Sequence, residues 1–484
     1  NTIDLVADGA IAAGKPVIIK SNGKAAEVKV EVTNLSTFTS GGKSSFKVGG
    51  FDGATYQDST YDEANDGIWV IYPVGNASNR MDVTFFKIQA SVGGRTNWVS
   101  NTNATSVEAT VDSSTSCTYC QIEYDPDTQR TVALWVQNGA VRVKVLQYNS
   151  SNNTITQGSQ VTMVSGNMVE PTMFYDTGSN KIIAGAVKTS DTFKFYSYVG
   201  TVTGGSTNSI SFGNVSTTEG VTGSNVANEF PTLIYDPDND KVVLYSKLDG
   251  GAWSNDGVIH VGTVSSNAIT WNTATNIGSS HWTTNIVYDP NVNKFLVWFG
   301  SSTNSDVRYT RVITISGTSV SSGTIQSQQT ATGTASLGYG NQAMTFDPLS
   351  NKIIFLYFRE DGGRSLQFTS GAISGTSITL ASPTTLDSTD IFRAAGWTGF
   401  SGNYTKQGQH IFFIRQSNAG TSNYFYNVAT GALTTNQTNG NFIGFAQSAI
   451  SDTNSGTIQT AGSVSENQSG LTPASRYYVK DDGT

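Results

Sequence analysis

The stretch Pro231-Thr-Leu-Ile-Tyr-Asp-Pro-Asp-Asn-Asp-Lys-Val-Val243 places two apolar runs on either side of a polar turn. The turn carries its own chemistry. An aspartate at Asp236 accepts from backbone N–H groups two residues on, and Pro237 presets φ near about −65°. Asp240 tolerates the left-handed conformation through which the chain re-enters a strand. The segment is a β-hairpin.

The same pattern recurs along the chain, at 121–133, 171–183, 285–296 and 343–354, with a weaker copy at 59–70 and a degenerate one at 397–414. Anchored on its aromatic, the series runs Tyr61, Tyr124, Tyr175, Tyr235, Tyr288, Phe346 and Phe400, a mean period of about 56 residues. Asn180, Asp240, Asn293 and Asn351 hold the left-handed slot in the clearer copies. Beyond each hairpin a second pair of strands follows, as in 258–271, where alternation resumes on both sides of a Ser-Ser-Asn turn.

Two hairpins per repeat give four antiparallel strands. Such sheets cannot bury both faces alone and must stack on one another. A linear β-solenoid would have much shorter repeats, so radial stacking is expected: an all-β, seven-bladed β-propeller with four antiparallel strands per blade over 51–440. Residues 1–50 and 441–484 lack the blade motif, and the two segments are expected to form a small β-module together. The last repeat reads as having four strands of its own, which leaves open whether an end donates a strand to the ring.

Composition agrees with that class and removes others. Charged residues make up 13% of the 484 positions, about half the average share, and Gly supplies 50. Helical bundles need far more Ala, Glu, Lys and Leu. With 37% hydrophobic residues, 8 Trp, 20 Tyr and 23 Phe, the chain can bury a core, which argues against disorder. The net charge is −8 and no long basic run occurs, so no nucleic-acid partner is expected. No apolar run approaches the ~18 residues of a membrane span. The first residues, from Asn1, lack the basic and apolar regions of a signal peptide, and the chain reads as processed or partial.

Few residues carry recognisable chemistry. Cys117 and Cys120, in Cys-Thr-Tyr-Cys, are half a metal site, but His260, His281 and His410 are too scattered to complete it. Buried thiols or a local disulfide are expected, with no metal and no cofactor. Asp236-Pro-Asp-Asn-Asp240 begins like a calcium loop yet lacks the Gly and distal Glu of one. Glycoside hydrolysis would need two carboxylates about 5–9.5 Å apart. Glu170 and Glu229, before Pro171 and Pro231, stand at the mouths of the innermost strands, and Glu123 and Asp390 are further candidates. Carboxylates at strand entries also cap neighbouring backbone N–H groups, and no catalytic residue is assigned. Trp69, Trp135 and Trp298 fall on second strands and Trp98 and Trp271 on outer ones, all as packing. Trp253, in a glycine-rich loop, and Trp282 and Tyr339, before inner strands, are the aromatics placed to stack on a sugar ring.

The terminal stretches 5–19, Leu-Val-Ala-Asp-Gly-Ala-Ile-Ala-Ala-Gly-Lys-Pro-Val-Ile-Ile, and 465–484, ending Arg-Tyr-Tyr-Val-Lys-Asp-Asp-Gly-Thr, resemble segments that frame virion proteins of marine tailed phages. Tail-fibre-like proteins of cyanophages are the nearest kind. The resemblance covers under a fifth of the chain and transfers no catalytic residue. It implies a non-enzymatic virion surface protein, a tail fibre or receptor-binding appendage, present in several copies among other virion proteins. Its propeller would present loops to a host-surface glycan. A purely structural virion part, such as a tail nozzle or capsid decoration, is the alternative. A polysaccharide-degrading propeller enzyme is a third.

Overall fold

The computed structural model describes residues 1–47, 57–74, 80–89, 98–99, 106–114, 116–205, 207–218, 227–249, 256–278, 285–300, 307–330, 342–359, 365–388, 400–406, 408–415, 422–438, 440–461, 467–468 and 478–479. No helix occurs among them. The chain divides into two compact units, one drawing on Asn1–Phe38 and Ala429–Thr484, the other on Thr39–Gln89 and Trp98–Val428.

The larger unit is a β-propeller. Among the described residues it holds seven antiparallel sheets, called blades one to seven here in the order of their first strands. These begin at Asp58–Asp62, Cys117–Asp125, Met168–Asp176, Ala227–Asp236, Asn285–Asp289, Gln342–Asp347 and Phe400–Thr405. Each first strand neighbours the next, and Phe400–Thr405 lies beside Asp58–Asp62, so the series comes back on itself.

The second strands explain the stacking. Every residue of Gly67–Val74 is buried. Ile68, Val70 and Tyr72 pack with Ile411, Phe413 and Phe425 of blade seven. Trp69 and Ile71, pointing the other way, pack with Ile122, Ala133 and Trp135 of blade two. A strand buried on both faces alternates between two interfaces with period two. Each large side chain fully buried this way contributes roughly 1.5–3 kcal/mol.

The turn chemistry holds in detail. Asp125, Asp176, Asp236, Asp289 and Asp347 are buried and accept from backbone N–H groups two or three residues on. Asn180, Asp240, Asn293 and Asn351 have φ of 54°, 52°, 52° and 55°. The anchoring tyrosines fasten these residues: Tyr235 Oη donates to Asp240 Oδ1 at 2.9 Å, and Tyr288 Oη to Asn293 Oδ1 at 3.2 Å.

Two readings of the last repeat are corrected. Its anchor is Tyr404 and not Phe400, because Tyr404 pairs with His410 and Thr405 with Gln409 at the turn, as Tyr175 and Asp176 pair with Ile182 and Lys181. Thr405, fully buried, stands where the other copies have aspartate. Nor does the repeat supply four strands. Ser422–Thr435 runs on for 14 residues without folding back, and the fourth place in the sheet is taken by Val30–Lys47.

In blades two to six the fourth strand is broken in two, both pieces pairing with the third strand. Gly158, Gly213 and Gly323 sit at three of these breaks, donating to Val145, Val199 and Val312. A Cβ at Gly213 would stand 2.1 Å from the carbonyl oxygen of Asn267, in the outer hairpin turn of the next blade. Glycine is needed there for close approach of two backbones.

The smaller unit is one five-stranded sheet in the order Thr2–Val6, Ser455–Gln459, Phe442–Ala446, Pro16–Ile19, Ala25–Glu27. Thr2 pairs with Gln459 and Val17 with Gly444, so strands from both ends of the chain interleave. Ala7, Ile11, Val17, Ala446, Ile450 and Ile458 form its core.

Gly213→Ala is expected to destabilise the propeller by about 1–3 kcal/mol through overpacking at the blade joint. Thermal unfolding checks this against Gly205→Ala, where a Cβ meets nothing and only the left-handed φ of 85° is penalised. The joint is refuted as a close-packed contact if Gly205→Ala costs as much.

Candidate functional site

Around the axis, side chains join the first strands to one another. Asp58 Oδ2 accepts from Ile122 N–H at 3.1 Å and Thr60 Oγ1 from Tyr124 N–H at 3.2 Å. Gln121 Oε1 accepts from Met173 N–H at 2.8 Å, and Thr172 Oγ1 from Leu233 N–H at 3.2 Å. The backbone N–H of Tyr175 lies near the Glu123 carboxylate and favours its charged form. These acceptors stand four or two residues before the turn aspartate of their own blade. At the joint of blades seven and one, the Ser59 and Ser401 hydroxyls are 2.6 Å apart and Asn403 Nδ2 donates to Ser59 Oγ at 2.7 Å.

Two carboxyl groups meet in this belt. Burial pushes Asp58 up to about 7, opposed by the N–H groups of Ile122 and Ser59. Burial also pushes Glu123 up to about 8; the charge of Asp58 adds to the rise and the Tyr175 N–H opposes it. A neighbouring pair with one proton held near neutrality is the kind of pair glycoside hydrolysis uses. Here Asp58 is spent on the strand amides of Ile122 and Ser59, the capping role that the sequence also allows for such residues. Asp58 was not singled out by the motif, although it stands at the position that Gln121 and Thr172 hold in their blades.

Glu170 lies in Met168–Asp176 at a β-bulge, with φ of 47° and the register stepping from Val169 to Thr172. Glu229 does not match it: in Ala227–Asp236 it pairs with Lys247 at the edge of the corresponding bulge, where Phe230 holds the place of Glu170, and its side chain lies outside the described residues. The proline after each bulge explains it: Pro171 has no N–H to give the ladder, so pairing is interrupted where it enters. Trp253, Trp282, Tyr339 and Asp390 lie outside the described residues.

The remaining candidates are structural. Asp236 Oδ1 accepts from the N–H groups of Asp238 and Asn239, which makes the aspartate-rich segment a turn. Cys117 and Cys120 are buried thiols that form no disulfide, and burial next to Asp112 pushes the Cys117 thiol up to about 12. Trp69, Trp135 and Trp298 are buried, and the first two donate to Asp62 at 3.2 Å and Asp112 at 2.9 Å. Trp271 Nε1 donates to Ser197 Oγ of the preceding blade at 2.9 Å.

No protein-family model matches the sequence, and no curated protein matches it. Solved structures that are similar share the fold. The Dos1 propeller is 9% identical with a TM-score of 0.45, covering 82% of this chain and 94% of its own. A protein from Lactobacillus plantarum is 8% identical with a TM-score of 0.44, covering 77% and 100%. The exo-beta-1,3-galactanase of Phanerochaete chrysosporium is 11% identical with a TM-score of 0.31, covering 51% and 57%.

The raised carboxyls set a pH dependence. In the folded chain they hold protons up to pH about 7–8, whereas unfolded carboxyls titrate near about 4. Their contribution is present at low pH and is lost as pH rises through 7–8. Glu123→Gln keeps an acceptor for Tyr175 N–H and removes one titration. Its melting temperature is expected to fall less between pH 6 and pH 9 than that of the wild type. Parallel melting profiles would contradict the shared burial of the pair.

Proposed function

We propose that this chain is a non-enzymatic virion surface protein, a tail fibre or receptor-binding appendage, whose propeller attaches to a host-surface glycan. One observation carries the reading. The N-terminal stretch that resembles a framing segment of phage virion proteins supplies the strand Pro16–Ile19, and this strand pairs with Phe442–Ala446 from the other end of the chain, ahead of the C-terminal stretch 465–484. The propeller is then an insertion within that frame, and the frame is the part that meets other virion proteins.

The chemistry of the surface supports a glycan partner. With 13% charged residues, recognition rests on hydroxyl and amide groups, which salt screens little. Asp58 of the axial pair is engaged by backbone N–H groups, which supports binding over hydrolysis. Affinity per copy is modest in this reading, and attachment depends on several copies acting together.

The test uses the full chain displayed multivalently on fluorescent beads and offered to marine cyanobacterial cells. Binding is expected, and periodate treatment of the cell surface, which cleaves vicinal diols, is expected to abolish it. Beads that fail to bind, or that bind regardless of periodate, overturn the glycan partner. Oligosaccharide release from extracted cell-surface polysaccharide would overturn the non-enzymatic part. Immunogold labelling of particles is expected to place the chain at the tail.

A further inference from the structure

Blade seven departs from the repeat at its hairpin. The residue that pairs with the anchoring aromatic is Ile68, Ile182, Val242, Phe295 and Ile353 in blades one, three, four, five and six, and Thr131 in blade two. All of these are buried. In blade seven it is His410, paired with Tyr404 and equally buried. Ile411 and Phe413 of the same strand pack against blade one, so His410 and Phe412 alternate toward blade six. There His410 Nε2 lies 3.4 Å from Oδ1 of Asp347, the buried turn aspartate of that blade.

The imidazole is poorly provided for. Neither ring nitrogen makes a well-formed hydrogen bond among the described residues. Asp347 is engaged by its own turn, accepting from Ser350 N–H at 3.1 Å and from the Ser350 hydroxyl. The Tyr404 ring stands 5.0 Å from the imidazole and the Phe412 ring 6.3 Å. Among the described residues, Asp347 of blade six and Tyr404 of blade seven are thus the titratable groups that face His410. An imidazolium here would lose its hydration, and one carboxylate at 3.4 Å offsets that only in part. Burial accordingly holds the His410 imidazole below the usual histidine range, with Asp347 opposing.

We propose that the seam between blades six and seven is an acid-sensitive joint, closed around a neutral His410 and opened when that imidazole takes a proton. The sign follows from linkage. The opened seam returns His410 to water, where it binds a proton more readily than in the closed one. Its contribution is therefore whole above pH about 6.5, the ordinary histidine value, and is lost as pH falls below it. Farther out, Tyr426 Oη donates to Asp387 Oδ2 across the same seam at 2.7 Å, and this bond opens with it. On the other side of blade seven, Asn403 Nδ2 donates to Ser59 Oγ at 2.7 Å and Lys406 Nζ to Glu63 O at 3.1 Å. Those bonds do not depend on the proton, so blade seven stays with blade one. The joint runs opposite in pH to the axial pair, whose contribution is lost as pH rises through about 7–8.

Hydrogen exchange on the full chain tests this at pH 7 and pH 5.5, expressed as protection factors so that the intrinsic pH dependence drops out. Protection of the Gln409–Arg415 amides is expected to fall about five- to tenfold on acidification, while that of Arg130–Gln137 in blade two holds. His410→Phe imports the residue that blade five has at this position and is expected to abolish the fall at 409–415. His260, the other described histidine, is buried in blade four with Nδ1 3.3 Å from Asn272 O, and its own response is left unchanged by that variant. Should His410→Phe fail to fold by circular dichroism, His410→Val, the residue of blade four, replaces it with the same expectation. A fall that survives the folded variant, or one that is uniform over all blades, overturns the proposal. So does wild-type protection at 409–415 that stays level, or that rises because the ion pair with Asp347 outweighs burial.

Discussion

A strand at the edge of a sheet leaves N–H and C=O groups without ladder partners, and a propeller gathers the first strand of every blade around one axis. Here the edges are answered by side chains. Asp58, Thr60, Gln121 and Thr172 reach to the amides of the following blade, so the first strands of blades one to four are tied in series across the gaps. A bond of this kind contributes only about 0.5–1.5 kcal/mol net, but an unmade one would leave a buried donor unsatisfied. The belt also decides what Asp58 does. A group whose burial and raised titration would suit an acid pair is here a structural acceptor.

The outer part of the ring solves a different problem. Third and fourth strands diverge from the axis, and the widening space between blades must be filled. Glycines at the breaks of the fourth strands let the next blade's hairpin turn approach, while long side chains such as Lys144 and Arg311 cross to the preceding blade's carbonyls. Thr369 in blade six and Thr84 in blade one are the short members of that series. A cleft of about 130 Å³ lies beside Thr369, walled by Trp298, Tyr357 and Pro383 among others.

Much of the fold was legible in the sequence because its signals are local. An aspartate, a left-handed Asn or Asp, and two apolar runs define each hairpin, and the structure places Asn180, Asp240, Asn293 and Asn351 in that conformation. Gln129 adopts it too, with φ of 53°, and no residue preference announces that. The last repeat was misread at Phe400 because Thr405 replaces its aspartate. The strand Val30–Lys47 was invisible for another reason: its partner is some 400 residues away, and pairing at that distance leaves no periodic trace. Glu123 was legible as a further carboxylate candidate, whereas Asp58 sits in the weak first copy. The cleft could not be read at all, since its walls come from blades five and six and meet only in the folded ring.

The account turns on whether the axial side chains hold the strand amides. Residue-resolved hydrogen exchange on the full chain measures this at Ile122, Tyr124, Met173 and Leu233. The account predicts protection close to that of the second-strand amides that lie inside the ladders. Exchange at the rate of the exposed turn amides would contradict it, and would return Asp58 to the pool of groups free for chemistry.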